Sequence, residues 1–249
     1  MIVRKSAAEI QIMREAGRVS ARALRLVGEA VGVGVTTAEL DDVAETAIRA
    51  EGGVPAFKGY HGFPKTLCTS INCQVVHGIP SEMIKLREGD IISVDVGAIV
   101  DGYYGDNAYT FAVGKVSDEA TRLLSATKAS LEAGIVQTRE GNHLFDIGAA
   151  VQSVAEKAGF SVVREYVGHG IGRNMHEDPN VPNYGEAGRG PRLETGMVLA
   201  IEPMVNAGEA AGDSLPDGWT VVTRDGLLSA HFEHTVAITA DGPVVLTVE

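Results

Sequence analysis

Several acidic residues of this sequence stand where a charge is expensive. Asp95 interrupts the apolar run from Ile91 to Ile99, Glu202 closes Met197-Val198-Leu199-Ala200-Ile201, and Glu233 precedes His234-Thr235-Val236-Ala237-Ile238. A carboxylate in such strand-like context needs a partner, because an unpaired buried charge is strongly disfavoured. Neither Glu202 nor Glu233 has a lysine or arginine in its own segment, which favours a ligand role over an ion pair. Asp101-Gly102 is a two-residue hairpin signal. If Val100 pairs with Tyr103, Asp95 faces Ala108 and Asp106 is its diagonal neighbour on the same face. Like charges placed this way raise each other's pKa and destabilise the sheet unless a cation lies between them. Taken alone, this pair reads more simply with one aspartate as a loop cap or a solvated edge residue; the carboxylates together point to metal.

Histidine supplies the softer, nitrogen partner. Gly168 and Gly170 flank His169 and leave its imidazole room, and His176 precedes Glu177-Asp178-Pro179. A mostly oxygen donor set with one nitrogen suits a pair of divalent first-row ions rather than a structural zinc site. His77 follows Val75-Val76 and precedes Gly78, which presents its ring at a strand end. Cys68 reads as a small buried apolar residue, since no cation beside it would generate a thiolate. Tyr60, Phe63 and Trp219 are candidate pocket walls in a chain with only 5% aromatic residues.

The elements that must carry these residues are legible. Ser6-Ala7-Ala8-Glu9 and Thr36-Thr37-Ala38-Glu39 are capping boxes. Apolar residues at helical spacing follow each, predicting helices from about Ser6 to Glu29 and from Thr36 to the stop at Gly52-Gly53. Residues 54 to 113 lose that period and read as strands and loops. The same order recurs, with helices from about Ser117 to Val136 and Asn142 to Ala158, then strands and loops from Ser161 onward. We read one catalytic domain over residues 1–249 with two similar halves, about 1–115 and 116–249. Helix pairs followed by strands predict an α+β fold, an antiparallel sheet covered by helices on one side. Gly168-His169-Gly170-Ile171-Gly172 lacks the form and context of a dinucleotide-binding loop.

With 33 acidic against 21 basic residues, the formal charge of −12 opposes binding to nucleic acids and anionic membranes. Two cysteines, Cys68 and Cys73, are too few for a disulfide scaffold and fit a reducing cytoplasm. The sequence opens without an apolar leader and contains no run long enough to span a membrane.

Taken together, Val76-His77-Gly78-Ile79-Pro80, Val94-Asp95-Val96-Gly97, Gly105-Asp106-Asn107, Gly168-His169-Gly170-Ile171-Gly172, Met175-His176-Glu177, Ile201-Glu202-Pro203 and Phe232-Glu233-His234 resemble the type I methionine aminopeptidases. The likeness runs over essentially the whole chain in order and spacing. It implies the pita-bread fold in a short, bacterial-like form, with two pseudo-symmetric halves around a dinuclear centre. It also implies Asp95, Asp106, His169, Glu202 and Glu233 as ligands of two divalent cations (Co, Mn, Fe or Zn), Asp106 and Glu233 bridging. Glu202 would double as proton relay, His176 would contact the substrate carbonyl oxygen, and His77 the scissile amide nitrogen. The methionine pocket would map onto Tyr60, Phe63, Cys68, His77, Met175 and Trp219. Phe63 stands where tyrosine is common in the family, and Met175 where phenylalanine is common.

The implied substrate is the N-terminus of a peptide or nascent protein whose second residue is small. A monomer in the cytoplasm is expected, with any ribosome contact transient. Two other readings are an Xaa-Pro aminopeptidase or prolidase, which usually carries an additional N-terminal domain, and a non-catalytic binding protein of the same fold.

Overall fold

The computed structural model describes residues 1–249. Helix α1 runs Ala7–Ala30 and α2 Thr37–Ala50. Each begins on its predicted capping box: Ser6 Oγ accepts the Glu9 N–H while Glu9 accepts the Ser6 N–H, and Thr36 and Glu39 do the same. In the second half α3 spans Asp118–Gln137, capped by Ser117, and α4 spans Leu144–Lys157. The N-cap of α4 is His143 rather than Asn142, because Asp146 reaches back to accept the His143 N–H.

The strands in chain order are β1 Val54–Pro55, β2 Leu67–Ile71, β3 Gln74–Val76, β4 Ile91–Val100, β5 Tyr103–Ala112, β6 Ser161–Val162, β7 Gly168–Gly170 and β8 Glu177–Val181. They continue with β9 Val198–Ile201, β10 Met204–Asn206, β11 Gly212–Ser214, β12 Val221–Thr223, β13 Ser229–His231, β14 Glu233–Thr239 and β15 Gly242–Val245. The main sheet follows the order β1-β4-β5-β14-β9-β7-β8, with β2 on β4 and β15 on β14. Two three-stranded sheets, β13-β10-β6 and β11-β12-β3, flank it. Every named pairing is antiparallel. Mixed helix and antiparallel sheet in this arrangement is the pita-bread fold.

The β4–β5 hairpin turns at Asp101-Gly102 with Val100 opposite Tyr103, so Asp95 faces Ala108 as the turn chemistry requires. One apolar cluster joins α1 and α2 to β4 through Val19, Leu40, Ile48, Ile92 and Val94. A second joins α3 and α4 to the strands of the second half through Leu123, Leu131, Ile147, Leu199 and Val236.

Helix α1 lies directly on the sheet beside the chemistry. A Cβ on Gly105 would stand 2.5 Å from the Gly17 backbone nitrogen, and a Cβ on Gly17 would stand 2.3 Å from the Leu246 carbonyl oxygen. Both atoms met are backbone, so neither contact relaxes by rotating a side chain. Gly105 thereby sets the depth of the strand that carries Asp106. Gly105→Ala is expected to lower the free energy of unfolding by about 1–3 kcal/mol through overpacking, read as a lower urea midpoint at unchanged slope.

Candidate active site

One face of the main sheet gathers the acidic residues in a row. Cys68 on β2 pairs with Asp95, Asp95 with Ala108, and Ala108 with Glu233. The β14–β9 register, His234 opposite Ile201, brings Glu202 alongside Glu233 one step further on. His169 pairs with Ala200, two residues before Glu202 and therefore on the same face. Asp106, two residues from Ala108, completes the set. The residue between Asp95 and Glu233 has only the methyl of Ala108, leaving space for the carboxylates to converge.

Two threonines fix this geometry where strand pairing is short. Thr235 Oγ1 donates to the Asp106 carbonyl at 2.8 Å and accepts the Asp106 N–H at 3.1 Å. Thr110 Oγ1 donates to the His231 carbonyl at 2.7 Å and accepts its N–H at 2.9 Å.

The donor atoms of Asp106, His169 and Glu233 lie within 4.8 Å of one another, all three residues buried. Burial holds all four carboxylates above the ordinary range, Asp106 at about 7. Like charges add to the rise: Asp106 acts on Asp95, Glu202 and Glu233. Burial pushes His169 down to about 3, so its ring is neutral and its lone pair available. Asp95 Oδ1, Asp106 Oδ1 and Glu233 Oε1 are buried with no hydrogen-bond partner. Acceptors facing one another without a donor are what a cation site provides, so the residues present fit divalent metal.

All twelve sequence-predicted site residues border one cavity of about 210 Å³. Its acidic end is the cluster just described. Its other end is apolar: Phe63 packs edge-on to Trp219 with centroids 5.1 Å apart, and Cys68 and Met175 close the wall. Cys68 keeps its proton, because burial and then Asp95 and Asp106 push its pKa well up. His77 stands at the end of β3 with φ +61°, a neutral imidazole pushed down to about 4 by burial. His176 stands at the mouth, where its Nδ1 meets the Tyr60 hydroxyl at 2.8 Å.

Residues 11–240 match the profile of Metallopeptidase family M24. The methionine aminopeptidase of Clostridium acetobutylicum is 53% identical over 99% of both chains, and methionine aminopeptidase 1 of Bacillus subtilis is 50% identical over the same share. The crystal structure of methionine aminopeptidase from Thermotoga maritima superposes with a TM-score of 0.99 at 44% identity, covering 100% of each chain. The chain belongs to metallopeptidase family M24. A prolidase from Pyrococcus furiosus shares the fold at a TM-score of 0.77 but only 23% identity, and this chain spans 66% of it.

Around this cavity, sequence reasoning missed Phe57 and His61, which also border it, and His231, whose Nε2 lies 3.7 Å from Glu202 Oε2. His231 had a signal: in a period-2 pattern it shares a face with Glu233. Also missed was the support of the Met175-His176 loop. Lys5 Nζ donates to Glu177 Oε2 at 2.7 Å, with the two side chains 3% and 9% exposed, and Glu177 Oε1 accepts the Asn174 N–H. Those partners are 172 residues apart, beyond any local pattern.

Divalent metal should therefore stabilise the fold. At a hundredfold excess over its dissociation constant, Mn²⁺ is expected to add about 2.7 kcal/mol per site, read as a raised thermal midpoint that Asp106→Asn largely abolishes. In chelator the contribution of Asp106 depends on pH. The raised Asp106 pKa gives stability that is present below the unfolded value of 3.8 and lost as pH rises through about 7. Urea titrations in chelator should thus show wild type losing stability relative to Asp106→Asn between those pH values.

Proposed function

We propose that this chain is a metal-dependent aminopeptidase that removes an N-terminal methionine from peptides and nascent proteins whose second residue is small. The observation carrying this reading is the joining, in one cavity, of a convergent carboxylate–histidine cluster and an apolar end. At about 210 Å³ the cavity is below the ~300–1,000 Å³ of pockets for larger ligands and suits a single side chain. The full-length relatives at 50–53% identity favour methionine over proline specificity.

Asp95, Asp106, His169, Glu202 and Glu233 would hold two divalent ions. Bound there, such ions acidify water towards neutrality and polarise a carbonyl. The oxygen-rich donor set accepts Co²⁺, Mn²⁺, Fe²⁺ or Zn²⁺, and availability decides among them.

The chain's own residues supply the rest. Phe63, Cys68, Met175 and Trp219 take the methionine side chain; sulfur–aromatic contacts contribute about 0.3–1.5 kcal/mol each. With the Tyr60 hydroxyl donating to Nδ1, His176 carries its proton on Nε2 and donates it as a hydrogen bond to the substrate carbonyl oxygen. His77 contacts the scissile amide nitrogen. Glu202 accepts the proton of the attacking water on a carboxylate oxygen and returns it to the leaving amine. All these residues come from one chain, so a monomer suffices. The substrate terminus first exists where proteins are made, which places the activity in the cytoplasm with at most transient ribosome contact.

Hydrolysis of Met-Ala-Ser is expected to be lost in chelator and restored by Mn²⁺ or Co²⁺, with Ala-Pro-Ala left intact. Asp106→Ala retaining full activity, or preferential cleavage of Ala-Pro-Ala, would overturn the reading. A norleucine peptide should be cleaved with kcat/KM within about 10–200-fold of its methionine counterpart, since an apolar pocket discriminates little more than that.

A further inference from the structure

Glu202 is flanked by two imidazoles. His169 Nε2 lies 3.6 Å from its Oε1, and His231 Nε2 lies 3.7 Å from its Oε2. The two histidines are placed differently. His169 borders the cavity that Glu202 also borders, whereas His231 does not and its side chain is only 2% exposed. His231 Nε2 is buried without a hydrogen-bond partner.

The position of His231 is tightly held. Its backbone N–H and carbonyl both bond Thr110 Oγ1, which Ser93 Oγ meets at 2.8 Å. In the β10–β13 ladder His231 sits opposite Met204, two residues after Glu202. The backbone that carries the ring is therefore fixed, and Glu202 Oε2 lies 3.7 Å from the ring's Nε2.

We propose that His231 is a positioning residue for Glu202: its Nε2–H holds one carboxylate oxygen of Glu202 from the side away from the cavity. This inference rests on the reading of Glu202 as metal ligand and proton relay. A carboxylate used in both ways needs a fixed orientation, because a free rotor would spend time with its reactive lone pairs misdirected. A neutral imidazole with its proton on Nε2 supplies that restraint, and a small rotation of the carboxylate closes the 3.7 Å contact, as active-site hydrogen bonds tighten on loading.

The test compares wild type with His231→Leu and His231→Gln by three measurements. These are Mn²⁺ binding from the electron paramagnetic resonance of the free ion, kcat and KM on Met-Ala-Ser, and the thermal midpoint. His231→Leu should weaken Mn²⁺ binding and lower kcat by about 10–100-fold each, the usual consequence of losing an outer partner of a ligand. KM should stay near the wild-type value, because His231 does not border the cavity that takes the methionine side chain. His231→Gln, whose amide can still donate to Glu202, should recover most of both losses.

A folded His231→Leu with wild-type kcat and Mn²⁺ affinity would overturn the proposal, as would a His231→Gln no better than His231→Leu. Loss of one bound ion in His231→Gln would also overturn it, by making His231 a ligand. If His231→Leu does not fold, His231→Asn replaces it, with an amide too short to reach Glu202. A wild type that binds no Mn²⁺ and leaves Met-Ala-Ser intact overturns the aminopeptidase reading itself. An active wild type with an unaffected leucine variant overturns only the role of His231.

Discussion

The constraint from which the rest of this structure follows is the repulsion among buried carboxylates. Asp95, Asp106, Glu202 and Glu233 face one another across a single sheet, and burial alone disfavours each as an anion. Without a counter-charge the cluster can exist only by binding protons, so the metal-free fold carries a standing instability. The surrounding protein offers little relief: the nearest bases, His169 and His231, are themselves held neutral by burial, each at about 3. Two imidazoles beside Glu202 leave the negative charge for an ion to neutralise. The price of the site is therefore the source of its affinity for divalent cations.

Holding such a cluster together requires a scaffold that does not relax. The acids are supplied by the long β4–β5 hairpin, by the first residue of β14 and by the residue after β9, where cross-strand register sets position. Thr235 ties β14 to the Asp106 peptide, and Thr110 ties His231 to the same strand of the hairpin. Helix α1 presses on that strand through the Gly17–Gly105 contact. Breathing of the sheet is thus resisted on the face opposite the repulsion. The mouth is held otherwise, by the Lys5–Glu177 pair beneath the Met175-His176 loop. A desolvated pair there suits a loop that must hold one conformation, since breaking it would leave a buried charge.

Local chemistry made much of this readable in the sequence. The capping boxes at Ser6 and Thr36 and the Asp101-Gly102 turn are short-range signals, and the helices and hairpin they announce start and turn where expected. The period-2 rule then places Asp95 and Asp106 on one face without knowledge of the rest of the fold. Glu202 and Glu233 were recognisable only as misfits, charges in apolar strands. That His169 pairs beside Ala200, or that Glu202 lies next to Glu233, depends on strand order, which local patterns do not encode. The same holds for Lys5 with Glu177 and for His231 behind Glu202. These contacts are made by surfaces that meet only after the sheet has closed.

Protonation separates the two ends of the cavity. Cys68 is the direct cross-strand neighbour of Asp95, close enough that a thiolate would compete as a soft ligand. Burial and the adjacent acids forbid that thiolate by raising its pKa well above the usual range. The same burial that makes the acids demand cations at one end therefore keeps sulfur protonated and apolar at the other. Cys68 can then line a pocket with Phe63, Met175 and Trp219 instead of joining the donor set. The donors stay oxygen and imidazole, which suits divalent first-row ions, and the wall stays soft enough to receive a thioether. Burial, the larger cause for the acids and the thiol alike, thus sets the character of both ends, and a substitution that discharges the cluster leaves the Cys68 thiol neutral.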